Sequence, residues 1–161
     1  MIRRKIGSAR ISRRELLPPR RISLDLIGIH LALKEFIESE LSGLVRLLPR
    51  DVPNGTIHAC ASLLSYVLRE AVRAYTGIGA ATLSIERSRE KELSFVLDLC
   101  EMPDPERFAL AIAVSEEAGY SIEFIDRKII LKTEFYPKTK LTIRSRDKRL
   151  LHNELMMTFF V

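Results

Sequence analysis

Two stretches of alternating sequence decide the fold: TLSIERSREKELSFVLDLC at residues 82–100 and SIEFIDRKIILKTEF at residues 121–135. In the first, polar residues alternate with Leu83 and Ile85, and the polar run 88–91 separates this part from a second apolar-rich run. In the second, a tight turn at 126–127 separates two runs of the same kind. Period-two patterns joined by short polar turns are typical of antiparallel hairpins. The sequence therefore predicts two β-hairpins.

Two helices are predicted before the first hairpin. Apolar residues spaced by three or four indicate a helix over 24–48, capped by Ser23 and ended by Pro49. A second apolar stripe indicates a helix over 56–75. The sequence then changes from a helical period to a period of two.

A third helix is predicted between the hairpins, over residues 105–118. Asp104 is its expected N-cap, and Gly119 its expected left-handed terminator. Two further short elements are expected after residue 140. This order predicts an α+β fold, a two-layer α/β sandwich whose mainly antiparallel or mixed sheet is covered on one face by about three helices.

Length and composition indicate one globular domain. The chain has 161 residues, of which 47% are hydrophobic and 29% charged, and a single core suffices at this size. We expect a basic N-terminal segment over 1–21, which lies as a strand along the sheet edge, and a single sandwich domain over 22–161.

The location expected for the chain is the cytoplasm. Cys60 and Cys100 lack metal-ligand or CxxC spacing, so two reduced and buried thiols are expected. The start of the chain has no signal-peptide pattern. No apolar run approaches the roughly 18 residues that a membrane helix requires, so no membrane partner is expected.

The segment Leu63–Phe135 resembles the ATP-binding domain shared by histidine kinases, gyrase and related chaperones, known as the GHKL fold. The resemblance begins in the helix VLREAVRAY at residues 67–75. It places Glu70 at the family's upstream acid and Ala74 where the magnesium-binding asparagine would lie. Asp98 falls at the aspartate that reads adenine. The layout is most similar to the anti-sigma-factor serine kinases, which implies bacterial-type signalling and dimerisation.

Three departures from the family pattern predict that ATP binding is lost. Residues 98–102 read DLCEM where the family has Asp-x-Gly-x-Gly, and residues 88–118 contain no glycine. Side chains then keep backbone amides away from phosphates. The four residues between Cys100 and Pro105 leave no room for an ATP lid. Glu70, Ala74 and Asp98 are therefore interpreted as vestigial positions, and no cofactor is expected.

No catalytic or metal motif is present in the sequence. It contains no GxSxG, no P-loop and no HExxH, and no histidine has a second ligand at metal-binding spacing. His30 is the candidate phosphoacceptor of a phosphotransfer protein, although the family's motif with its adjacent acid is absent. We therefore expect no metal and favour a chain that is not an enzyme.

Basic residues near the start of the chain suggest an alternative, binding to an anionic partner. Residues 1–21 carry eight basic residues against one acid, in a chain of net charge +5. Phosphates attract such clusters, but the segment has no aromatic residue for base stacking. Nucleic acid is therefore the less favoured partner. The candidate contacts are Arg3, Arg4, Lys5, Arg10, Arg13 and Arg14.

The favoured function is that of a non-catalytic regulatory protein with a degenerate histidine-kinase-like ATPase fold. It would bind another protein, a signalling or transcription regulator, and form a homodimer. Phosphotransfer through His30 and nucleic-acid binding are the alternatives that the sequence leaves open.

Overall fold

The computed structural model describes residues 20–48, 52–75, 81–137 and Leu155. Within these ranges the chain forms three α-helices and seven strands, and a 3₁₀ turn at Pro105–Phe108 precedes the third helix. In chain order the elements are β1 (Ile22–Asp25), α1 (Leu26–Glu40), β2 (Val45–Leu47), β3 (Gly55–Ala59), α2 (Ala61–Tyr75), β4 (Ala81–Arg89), β5 (Glu92–Asp98), α3 (Ala109–Ala118), β6 (Ser121–Ile125) and β7 (Lys128–Pro137).

The strands form one mixed sheet in the order β1-β3-β7-β5-β4-β2. The predicted hairpins are β4–β5 and β6–β7, and both are confirmed. All pairings are antiparallel except β2 with β4, which is parallel. β7 has β5 on one edge, and its other edge is shared by β6, along 128–132, and β3, along 135–137. β7 therefore joins the two halves of the sheet.

One face of the sheet forms the core. Alternate residues of the central strands are buried on that face because side chains in a strand point to opposite sides. Phe95 and Leu131 are opposite each other in the β5–β7 register, and both are at most 1% exposed. α1, α2 and α3 supply the other half of the same buried cluster. The predicted sandwich of one sheet and three helices is confirmed.

The predicted helix over 24–48 is wrong at both ends. Residues 22–25 pair with β3 as a strand, and the N-cap of α1 is Asp25, not Ser23. At the other end, Gly43 has a φ of +79° and reverses the chain, so that β2 joins β4. Leu44, Val45 and Leu48 continue the helical spacing of apolar residues. Because of that spacing, the sequence pattern does not distinguish β2 from a continuation of the helix.

The predicted helix over 56–75 is also wrong in its first turn. Residues 55–59 form β3, with Ile57 and Ala59 fully buried and His58 exposed, so α2 begins at Ala61. Gly55 permits a close approach to β7. A Cβ at this position would lie 2.5 Å from the carbonyl oxygen of Tyr136 and 2.5 Å from the Phe135 ring.

The cap and the terminator predicted for the third helix are confirmed, but the helix predicted over 105–118 is α-helical only from Ala109. The carboxylate of Asp104 accepts the backbone N–H of Glu106 at 3.0 Å and caps the 3₁₀ turn that leads into α3. Gly119 ends α3 with a φ of +94°, in the left-handed region. A Cβ added at Gly119 would lie 2.8 Å from the His58 carbonyl oxygen, so the turn also packs closely against β3.

Several predictions lie outside the described residues. They include the edge strand and basic contacts within 1–19 and the short elements after residue 140. Of the last stretch only Leu155 is described, and it is fully buried in the core cluster. None of the described helices has the length and apolarity to cross a membrane.

Candidate functional site

The C-terminal half of α2 carries two of the three predicted vestigial positions. Glu70 and Ala74 lie one turn apart and therefore on the same side of the helix. The Glu70 side chain is 13% exposed, and Arg73, one turn along, approaches its Oε1 at 3.5 Å. Asp98, the third position, lies at the end of β5 in register with Lys128. The connection that follows Asp98 leads to the third helix and contacts α2 on the way.

That connection, residues 99–104, and the 3₁₀ turn after it are each bound to α2 at one point. The backbone N–H of Asp104 donates to the hydroxyl of Tyr75, the last residue of α2, at 2.6 Å. Three residues later, Arg107 Nη1 lies 3.7 Å from Oε2 of Glu70. We call Glu70, Arg73, Tyr75, Asp104 and Arg107 the α2–α3 contact group. It joins the end of the motif helix to the start of the third helix.

The backbone N–H groups at the start of the 3₁₀ turn are occupied by the protein itself. Those of Glu106 and Arg107 donate to the side chain and carbonyl of Asp104, each at 3.0 Å. The N–H of Asp104 is bound to Tyr75, and Pro105 has none. Free N–H groups at a helix start are what binds phosphate in many proteins. Here the carboxylate of Asp104 takes the place of such an anion.

Sequence reasoning found part of this group. The sequence predicts Glu70 as a vestigial acid and Asp104 as a cap, and the structure adds that Glu70 pairs with two arginines. No sequence motif indicates the roles of Tyr75 and Arg107. Because Tyr75 and Asp104 are 29 residues apart, no local spacing could have indicated their hydrogen bond.

His30, the candidate phosphoacceptor, lies in the middle of α1. Its Nε2 is buried and has no hydrogen-bond partner among the described residues. Burial lowers the pKa of His30 below its usual range, and the nearby Lys34 ammonium lowers it further. Because Nε2 is buried, a phosphoryl donor could reach it only after the side chain moved.

A shallow depression of about 300 Å³ lies away from the α2–α3 contact group. Its charges are of both signs, and several are already engaged. Lys132 lies 3.0 Å from the Glu123 carboxylate, Glu134 accepts the Tyr136 hydroxyl, and Arg21 donates to the His58 carbonyl. The lining residues are Arg21, Lys91, Glu92, Glu116, Gly119, Tyr120, Ser121, Lys132, Thr133 and Glu134. Cations and carboxylates both line the depression, so these residues do not form a site for a ligand of a single charge sign.

The cysteines and the metal-ligating side chains form no centre in the described ranges. Neither Cys60 nor Cys100 is in a disulfide within the described ranges, and Cys60 is buried with its Sγ 3.0 Å from Ser62 Oγ. The prediction that both thiols are buried is wrong for Cys100, which is only partly buried. No three His, Cys, Asp or Glu side chains of the described part come together as metal ligands.

Replacement of Tyr120 by phenylalanine is expected to leave stability unchanged or raise it by about 1 kcal/mol, because the Tyr120 hydroxyl is buried without a hydrogen-bond partner in the described structure. Burial raises the pKa of this phenol, so the group is neutral at every ordinary pH. Urea unfolding of the variant and the wild type would measure the change. A loss above about 1 kcal/mol would show that the hydroxyl has a partner in solution.

Comparison with known proteins gives structural neighbours alone. No family model matches the sequence, and no curated protein matches it at a significant level. The ATP-binding domain of PrrB from Mycobacterium tuberculosis superposes with a TM-score of 0.54 at 16% identity, covering 72% of this chain and 98% of that one. The Acinetobacter baumannii histidine kinase AdeS gives 0.49 at 12% identity, covering 76% and 70%. Together with the sheet order and the three helices, the first comparison shows that this chain has the fold of the histidine kinase ATP-binding domain.

Proposed function

We propose that this chain is a non-catalytic regulatory protein that has kept the histidine kinase ATPase fold without ATP binding and acts by binding another protein. The observation that carries the proposal is the occupied start of the 3₁₀ turn. The N–H groups there are bound to Asp104 and Tyr75, so a phosphate would have to displace both partners.

Charge in the α2–α3 contact group supports the same conclusion. Arg107 and Arg73 both approach the largely buried Glu70. A phosphate would have to compete with this carboxylate for the two guanidinium groups. Ala74 supplies no metal ligand, since its side chain is a methyl group.

The missing glycines support it further. A glycine-rich loop brings successive backbone amides close to phosphates because no Cβ intervenes. Between residues 88 and 118 every position carries a side chain. The partner we propose is a cytoplasmic signalling or transcription regulator, by analogy with the anti-sigma-factor kinases that the sequence resembles.

Titration with MgATP and MgADP is expected to give no saturable heat and no thermal stabilisation up to millimolar nucleotide. A ligand present at 100 times its Kd would stabilise the fold by about 2.7 kcal/mol, which a thermal-shift assay readily detects. A histidine kinase domain with intact nucleotide motifs, titrated in parallel, is the positive control.

Saturable, magnesium-dependent binding would contradict the proposal. A Tyr75→Phe, Arg107→Gln double variant adds information, because it loosens the connection without adding glycines. If this variant alone bound ATP, the contact group would be the element that excludes nucleotide. If neither bound, the Tyr75 and Arg107 contacts would not be needed to exclude nucleotide, and the missing glycines and the Asp104 cap would remain as the cause.

A further inference from the structure

The outward side of α3 is apolar. From Ala109 to Val114 the helix contains only Ala, Leu, Ile and Val, yet the buried residues of α3 are Ala111, Ser115 and Ala118. Ala109 and Ala113 are exposed, and Ile112 is 42% exposed. A surface helix normally turns polar residues outward. This helix therefore has a second apolar side that faces solvent.

The shape of this side suits another helix. Ala109 and Ala113 are four residues apart and lie one above the other. Small side chains at this spacing let two helix axes approach toward the lower end of the 8–10 Å range. Ile112 stands beside them as a larger side chain that can enter a groove of the partner. A ridge-and-groove contact of this kind selects a helix over an extended peptide.

Carboxylates flank the apolar side at both ends. Asp104 and Glu106 precede it, and Glu116 and Glu117 follow it, all four exposed. Arg107 is the one basic residue between positions 104 and 117, and it pairs with Glu70. The exposed side chains of residues 104–117 are thus predominantly acidic in a chain of net charge +5, although Glu116, at one end, also borders the depression of mixed charge lined by Arg21 and Lys132. The charge of this surface complements a basic partner and opposes an acidic one.

We propose that this α3 face, made of Ala109, Ile112 and Ala113 with Glu106, Glu116 and Glu117, binds an amphipathic helix of a partner protein. The partner helix carries leucine or isoleucine along one side and lysine or arginine beside them. The inference rests on the proposed protein-binding function and names the surface and the chemistry of the partner.

The test uses two synthetic helical peptides with the same leucine seam, one flanked by lysines and one by glutamates. Fluorescence anisotropy would measure the binding of each to the full chain at low and high salt. We expect the lysine peptide to bind about tenfold tighter or more, and salt to reduce the difference.

Ala113→Lys should weaken this binding by about tenfold or more because it places bulk and positive charge at the centre of the contact. Leu31→Lys, the same charge change at an exposed position of α1, should leave binding unchanged.

Three results would overturn the proposal. They are no peptide binding, equal affinity for the two peptides, and equal binding by wild type and Ala113→Lys when circular dichroism shows the variant folded. Sedimentation adds a fourth: a wild-type dimer that Ala113→Lys dissociates would assign the face to a second copy of this chain. Titration with MgATP on the same samples distinguishes a failure of the proposed function from a failure of the α3-face assignment. Nucleotide binding would contradict the proposed function, whereas failure of the peptides alone would contradict only the assignment of the α3 face.

Discussion

Replacement of Phe95 by alanine is expected to lower the free energy of unfolding by about 3–5 kcal/mol. Phe95 lies in β5, between Ile85 of β4 and Leu131 of β7, and its side chain is fully buried. Its ring also meets that of Tyr120 edge-on, with centroids 6.3 Å apart. Alanine would leave a cavity in the middle of the sheet, where neighbours fixed by strands on both sides cannot move in to fill it.

Urea unfolding followed by circular dichroism would measure this change. Phe95→Leu is the matched control, since it keeps most of the volume and is expected to cost less than about 1.5 kcal/mol. A loss below about 1 kcal/mol for the alanine variant would mean that the core around β5 can rearrange, contrary to the close packing of the sandwich.

Replacement of Gly55 by alanine is expected to destabilise the protein by about 3 kcal/mol, although only one methyl group is added. The new Cβ would lie 2.5 Å from the Tyr136 carbonyl oxygen and equally close to the Phe135 ring. Neither can move aside at small cost. Thr56 is paired with Tyr136 in the β3–β7 ladder, and the Phe135 side chain is buried. The variant must therefore displace β3 from β7.

Gly43→Ala separates this steric effect from backbone strain. Gly43 has a φ of +79°, but a Cβ there would meet nothing within 4 Å. Its replacement is expected to cost about 1–2 kcal/mol from the left-handed conformation alone. Urea unfolding of both variants would give the comparison. Equal losses at Gly43 and Gly55 would show that β3 does not approach β7 as closely as described.

The parts of the fold that the sequence predicted are those with clear local periods. β4 to β7 alternate over five or more residues and end in polar turns, so their existence and pairing within hairpins could be inferred. β2 and β3 could not, because each lies next to a helix, with no change of period between them. Their apolar residues continue the helical spacing of those neighbours. Their places in the sheet come from pairing with β4 and β7, which is a tertiary effect.

The candidate site divides in the same way. Asp104, Pro105 and Gly119 act on their own helix ends, so their roles could be predicted from neighbouring residues. The contacts of Tyr75 with Asp104 and of Glu70 with Arg107 depend on how α2 lies against the third helix. Sequence reasoning predicted that phosphate-binding glycines are missing. It could not predict which groups occupy the backbone amides in their place.

The position of β7 has a consequence for synthesis of the chain on the ribosome. Among the described strands, β1 and β3 join the rest of the sheet through β7, and β7 follows Ala59 by about 70 residues. At translation rates of about 5–20 residues per second, the edge of β3 that will receive β7 waits roughly 4–14 s for its partner. An unpaired strand edge can pair with another nascent chain during that interval. Slower translation of residues 60–137 is therefore expected to increase aggregation during expression, without any change in the folded protein.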